Sequence, residues 1–258
     1  MAQEAVAQPA LDIAGLTKRF GEKLAVDGVD LVVPRGSFFG LVGQNGAGKT
    51  TTLSMAVGLL RPDGGSARIF GADVWTAPER AKALVGILPD GLAMPERLTG
   101  REVLTYLGLL RGIPKDEVAR RTEELLTVLE LTAAERTLVI EYSTGMRKKL
   151  GLATALLHAP RLLVLDEPFE AVDPVSAATI KTILRGFVAA GGSIVLSSHV
   201  MALVEQLCDH VAVVDGGTVV AAGTLDAVRG TRTLEEVFVD LVGGERAGTK
   251  GELSWLSR

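Results

Sequence analysis

The sequence predicts an α/β fold with a β unit in front and a helical block inserted. Three observations carry this. The apolar segment Phe38-Phe39-Gly40-Leu41-Val42 runs into a glycine-rich loop and then into residues 51–60, which have the length and apolar spacing of a helix. Two further aliphatic segments, 161–167 and 193–199, end in polar residues, as buried parallel strands do at a cleft. Ahead of them, residues 99–159 keep helical spacing.

At 258 residues the chain is one large domain, or a core with a subdomain, and 47% hydrophobic residues suffice for a sizeable interior. A formal charge of −4 leaves no basic footprint for nucleic acid. The single Cys208 excludes an internal disulfide and a cysteine zinc cluster. No apolar run reaches the roughly 18 residues that span a bilayer. No charged-then-apolar leader opens the chain. The expectation is a cytoplasmic protein that meets a membrane only through a partner.

In order, residues 1–9 are small and polar and predict a frayed start. Leu11-Asp12-Ile13-Ala14-Gly15-Leu16 alternates as a strand. Residues 17–21 read as a turn, and 23–33 as a second and third strand around glycine turns. Phe20, in a chain with 4% aromatics, is either core or a platform for a stacked base.

The next stretch, Gly43-Gln44-Asn45-Gly46-Ala47-Gly48-Lys49-Thr50-Thr51, fits the phosphate-loop pattern G-x-x-x-x-G-K-[ST]. Glycines let the backbone turn tightly and aim successive N–H groups at one point. The following helix adds unsatisfied N–H groups and a positive dipole end. Lys49 can reach β- and γ-phosphates as a point charge, and the Thr50 hydroxyl can ligate Mg²⁺. Chance produces the pattern roughly 0.01 times in such a chain. The plain alternative, a glycine-rich turn before a core helix, loses weight in this strand–loop–helix setting.

Residues 61–65 end that helix, 66–70 read as a strand, and 84–88 as a short buried strand ending in Pro89-Asp90. In the helical block, Thr99 and Glu102 make a capping box. Leu104, Leu107 and Leu110, then Val118, Leu125 and Leu129, keep helical spacing, with Gly112 and Pro114 between the two helices. Residues 161–167 end in two carboxylates. Alone this would be an ordinary strand before a polar turn. Beside a phosphate loop, Asp166 is suited to hold Mg²⁺, directly or through water, and Glu167 to take a proton from an attacking water. Residues 180–189 predict a helix. Segment 193–199 ends in His199, the third strand end at one cleft, although a lone histidine there is usually incidental. Residues 200–209 are helical, 211–215 and 218–223 form a hairpin across Gly216-Gly217, and 234–242 a last helix. The tail, 243–258, is polar and expected to be mobile. The expected organisation is a core of 1–90 and 156–226, a helical subdomain of 91–155, and a terminal helix and tail of 227–258.

Taken together, these residues resemble the ATP-binding subunit of an ATP-binding-cassette transporter, from about Leu11 to Leu241. Phe20 matches the adenine-stacking aromatic, 43–51 the phosphate loop, and Tyr142-Ser143-Thr144-Gly145-Met146 the signature usually written LSGGQ. Residues 162–167 match the magnesium-binding strand, Asp173-Pro174 the loop after it, and His199 the switch histidine. The resemblance implies a P-loop NTPase core with an N-terminal antiparallel β subdomain and an inserted helical subdomain. It implies ATP and Mg²⁺ as cofactors. It also implies two copies, or two paired cassettes, that sandwich two ATPs. Ser143 and the Gly145 N–H would contact the γ-phosphate from across that interface. Lys49, Mg²⁺ and His199 would stabilise its charge.

Three departures stand out. Asp90 occupies the position of a common glutamine, and its carboxylate is still an oxygen ligand for Mg²⁺. Thr144 and Met146 replace Gly and Gln in the signature. Glu170-Ala171-Val172 replace a small polar residue and Gly-Leu. The form Tyr-Ser-x-Gly-Met followed by Arg147, Lys148 and Lys149, with the Leu234-Glu235-Glu236-Val237-Phe238 helix, looks like the subunits that pair with exporter-type permeases. The resemblance thus implies an ATP-hydrolysing subunit that drives an integral membrane permease from the inner face of the cell membrane. A soluble cassette ATPase and a low-turnover nucleotide-binding regulator are the alternatives.

Overall fold

A computed structural model describes residues 8–243. Residues 1–7 and 244–258, expected to be frayed and mobile, lie outside the described residues. The chain begins with β1 (Leu11–Phe20), β2 (Lys23–Val33), β3 (Phe38–Val42) and α1 (Lys49–Ala56). It continues with β4 (Gly64–Ile69), β5 (Ala72–Asp73), α2 (Pro78–Leu84) and β6 (Val85–Leu88). The helical block is α3 (Gly100–Leu110), α4 (Lys115–Val128) and α5 (Thr144–Leu156). Then come β7 (Leu162–Asp166), α6 (Pro174–Ala189), β8 (Ser193–Ser198) and α7 (Met201–Leu207). The described part ends with β9 (His210–Asp215), β10 (Thr218–Thr224), α8 (Leu225–Arg229) and α9 (Leu234–Gly243).

The strands form an antiparallel sheet, β2-β1-β4-β5, and a six-stranded sheet, β10-β9-β3-β8-β7-β6, parallel except for β10. Every residue of β3, β7 and β8 is buried. Side chains alternate along a strand, so both faces of these strands must be covered. Phe39, Leu41, Leu162 and Val164 pack with α1 residues Leu53, Met55 and Ala56 and with the antiparallel sheet. Phe38, Val42, Leu163 and Leu165 pack the other way, with α3, α5, α6 and α9. This two-sided burial is why the strands read as unbroken aliphatic runs.

The capping box forms as expected: Thr99 accepts from the Glu102 N–H, and Glu102 accepts from the Thr99 N–H at 2.8 Å. Other expectations need correction. Residues 23–33 are one strand, and β1 runs on to Phe20. Gly28 does not turn the chain. It takes φ 60° in a bulge, and its N–H donates to Thr17 Oγ1 at 3.2 Å. Helix α1 stops at Ala56 because Gly58 adopts φ 77°, a glycine stop. Helix α6 starts at Pro174 and not at 180, since Asp173 caps it through the N–H groups of Val175 and Ser176. Leu84 ends α2, which the sequence reading missed; the short helix buries only Ala81 and so carries no apolar stripe. Short α8 was missed for the same reason: it buries only Leu225.

Candidate nucleotide site

The glycine-rich loop leaves β3 and enters α1. Lys49 is buried, and its Nζ donates to the loop's own carbonyls, Gly43 O at 2.8 Å and Gln44 O at 3.2 Å. Gly48 stands at φ 106°, where a Cβ would meet Ala25 O at 2.7 Å, so no other residue fits. The β9–β10 turn braces the loop: the Gly217 N–H donates to Ala47 O at 3.0 Å, and the Asp27 N–H to Gly217 O at 2.9 Å. A cleft of about 390 Å³ opens over the loop. Phe20, Asn45, Gly46, Gly48, Lys49, Thr50, Thr51, Asp90 and Glu167 line it, with Lys23, Ala25 and Glu170. Gly43, Gln44 and Ala47 belong to the same loop but lie outside that lining. Phe20 is 50% exposed, so it is not core; Lys18 Nζ lies 5.8 Å from its ring centroid.

Asp166 and Glu167 end β7, beside the loop. Both are buried. Asp166 pairs in register with Ser197 on β8, and the Ser197 hydroxyl donates to Asp166 Oδ1. The Ser197 Oγ in turn accepts the Glu167 N–H at 2.9 Å. Glu167 takes φ 44°, a left-handed backbone that costs a non-glycine residue about 1–2 kcal/mol. That conformation swings its carboxylate toward Lys49 and His199. Oε2 accepts from His199 Nδ1 at 3.0 Å, which puts the ring proton on Nδ1. Oε1 lies 3.5 Å from Lys49 Nζ, buried and without a hydrogen bond. A buried carboxylate oxygen without a hydrogen bond is costly, and the Lys49 ammonium beside it offsets that cost in part.

Asp90 follows β6 at the cleft edge, about half exposed, with Oδ1 accepting the Gly91 N–H at 2.9 Å and 3.7 Å from Lys148 Nζ. Ser143 and Gly145 are elsewhere: neither lines the cleft. Ser143 caps α5, its Oγ accepting the Met146 N–H at 3.2 Å, and is exposed. Gly145 is buried against α6, where a Cβ would come within 2.8 Å of Asp173 Oδ2. Lys149, from the same helix, binds Glu130 at 2.8 Å and pins α5 to the segment before it.

Sequence reasoning missed Ser197 as the shared support of both acids. It also missed Lys148, whose Nζ donates to Glu167 O at 3.0 Å. The signal for Ser197 was present, a hydroxyl inside an aliphatic strand. Its meaning depends on β7 and β8 being neighbours, which no local pattern states.

The profile of the family described as "ABC transporter" matches residues 26–170. Among curated relatives, a daunorubicin/doxorubicin resistance ATP-binding protein from Streptomyces peucetius is 40% identical over 83% of this chain and 65% of its own length. A Nod factor export ATP-binding protein from Ralstonia nicotianae is 38% identical over 83% of this chain and 67% of its own length. The chain thus spans about two thirds of those relatives. A solved ATP-binding subunit of an ABC transporter superposes with a TM-score of 0.83 at 31% identity, over 90% of this chain and 99% of that one. A dimeric post-hydrolysis cassette bound to ADP and Pi shares the fold, with a TM-score of 0.77 at 21% identity over 83% and 98%. The family match covers more than half of the chain, and its residues include the loop and both strand-end acids. The chain therefore belongs to the ABC transporter family, as an ATPase cassette.

Proposed function

We propose that this chain binds ATP with Mg²⁺ and hydrolyses it as the motor subunit of an exporter. The observation that carries this is Glu167, buried at the mouth of the phosphate-loop cleft between Lys49 and His199. Loop N–H groups and the α1 N-terminus would cradle the phosphates. Phe20 would stack on the adenine. Lys49 would turn from the loop carbonyls to the β- and γ-phosphates. Among the described residues no group of three or more His, Cys, Asp or Glu could hold a metal ion. Mg²⁺ does not need one: it takes one or two protein oxygens beside phosphates and waters. Thr50 and Asp166 supply a hydroxyl and a carboxylate of that kind, with Asp90 across the cleft as a further oxygen. Bound there, Mg²⁺ would neutralise charge on the phosphates. Glu167 would take the proton of the attacking water, and His199 would steady its carboxylate and face the γ-phosphate.

Ser143 and Gly145 lie outside the cleft, which supports a shared site: they would close on the phosphates of a second copy or a paired cassette. The partition into a core of 1–90 and 156–226, a helical subdomain of 91–155 and an end unit of 227–258 belongs to the same reading. Among the described residues no helix is long and apolar enough to cross a membrane. Membrane attachment would come through a permease, and the export and drug-resistance names of the relatives support an outward direction. The test is Glu167→Gln. It should keep ATP, lose turnover and elute as a dimer on a sizing column, whereas Lys49→Ala loses binding and turnover together. Monomer elution of ATP-loaded Glu167→Gln would refute the shared site.

A further inference from the structure

Lys148 takes no part in the reaction as proposed, yet it touches the residue at its centre. It lies in the first turn and a half of α5, with its side chain 14% exposed. Its Nζ donates to the Glu167 carbonyl at 3.0 Å and stands 3.7 Å from Asp90 Oδ1. The Glu167 N–H is held from the core by Ser197. The carbonyl also accepts the Glu170 N–H at 3.2 Å, a bond within its own turn. Lys148 is therefore the hydrogen bond that reaches the Glu167 backbone from the helical block. A left-handed backbone at a non-glycine residue persists only where its surroundings over-determine it. Because Lys148 binds the carbonyl and not the carboxylate, it fixes the residue without occupying the oxygens that would accept a proton.

We propose that Lys148 is a positioning residue for Glu167. It ties the helical block to the backbone of the catalytic carboxylate, and Asp90, at the end of β6, holds the ammonium within reach. The inference rests on the proposed role of Glu167. A rotation of α5 that withdrew Nζ would release one of the bonds that keep Glu167 aimed into the cleft. A misplacement of about 1 Å is enough to cost a large rate factor.

The test uses the full chain with Mg²⁺ and ATP. Lys148→Met keeps the aliphatic stem and removes the donor. The expected result is a kcat about tenfold lower, with KM and ATP affinity within about twofold of the parent. Lys148→Arg keeps a donor and should recover most of the loss. A Lys148→Met kcat within twofold of the parent would overturn the proposal. So would an equal loss in the Met and Arg variants that tracks a fall in melting temperature, since that would assign Lys148 to packing. Glu167→Gln runs alongside: if it turns over ATP at the parent rate, the parent reading of Glu167 fails instead.

Discussion

Ser197→Ala removes the one hydroxyl on which both strand-end acids hang. Its Oγ accepts the Glu167 N–H at 2.9 Å and donates to Asp166 Oδ1. Ser197 is 0% exposed and Asp166 4%, so bulk water does not replace either bond. A neutral hydrogen bond is worth about 1 kcal/mol and one to a carboxylate about 2, which sums to about 3 kcal/mol. For a chain of this size each kcal/mol moves the melting temperature by about 2–4 °C, so a fall of about 6–12 °C is expected. The assay is thermal and urea unfolding of the nucleotide-free protein, since bound ligand would mask the loss. Ser198→Ala is the control: its hydroxyl accepts one bond, from the Val200 N–H at 3.0 Å, and should cost about 1 kcal/mol. A Ser197→Ala loss below about 1 kcal/mol with an unchanged urea slope would refute the shared-support argument.

Other outcomes follow from single contacts. Phe20→Ala should weaken ATP binding roughly 5- to 150-fold by calorimetry, the loss of about 1–3 kcal/mol of stacking. The melting temperature should hold, because the ring is half exposed. Gly145→Ala puts a Cβ 2.8 Å from Asp173 Oδ2 and 2.9 Å from Ser176 Oγ, and should destabilise by about 1–3 kcal/mol in urea unfolding. Burial, helped by the nearby Arg111 and Arg121 charges, pushes His158 down from 6.5 to about 4. The unfolded chain then takes a proton that the folded chain refuses. Stability is intact above pH 6.5 and falls as the pH drops through 6.5 toward 4. Titration of unfolding free energy against His158→Gln should isolate a difference on the order of 2 kcal/mol, discounted for the partial exposure of the ring.

Much of the site was legible because its chemistry is written in short runs. The phosphate loop is a contiguous pattern whose glycines answer to backbone geometry, as Gly48 at φ 106° shows. The aliphatic β7 announces its burial, and the polar residues at its end announce a cleft. Phe20 was open between core and platform, and its exposure decided against core. What was misread lay where burial is slight or glycine does a second job. Helix α2 hides a single alanine, and Gly28 bends a strand where a turn was expected.

By itself the sequence determined the α/β class, the order of the longer buried elements, the loop and the acids at the end of β7, because each depends on neighbours in the chain. Only the tertiary structure decided that Ser197 supports both acids, that Lys148 reaches the Glu167 carbonyl from α5, and that Ser143 and Gly145 stay out of the cleft. Those relations join residues 30, 19 and more positions apart. They exist because buried polar groups must find partners wherever the packing of layers brings them, and sequence distance has no bearing on that requirement.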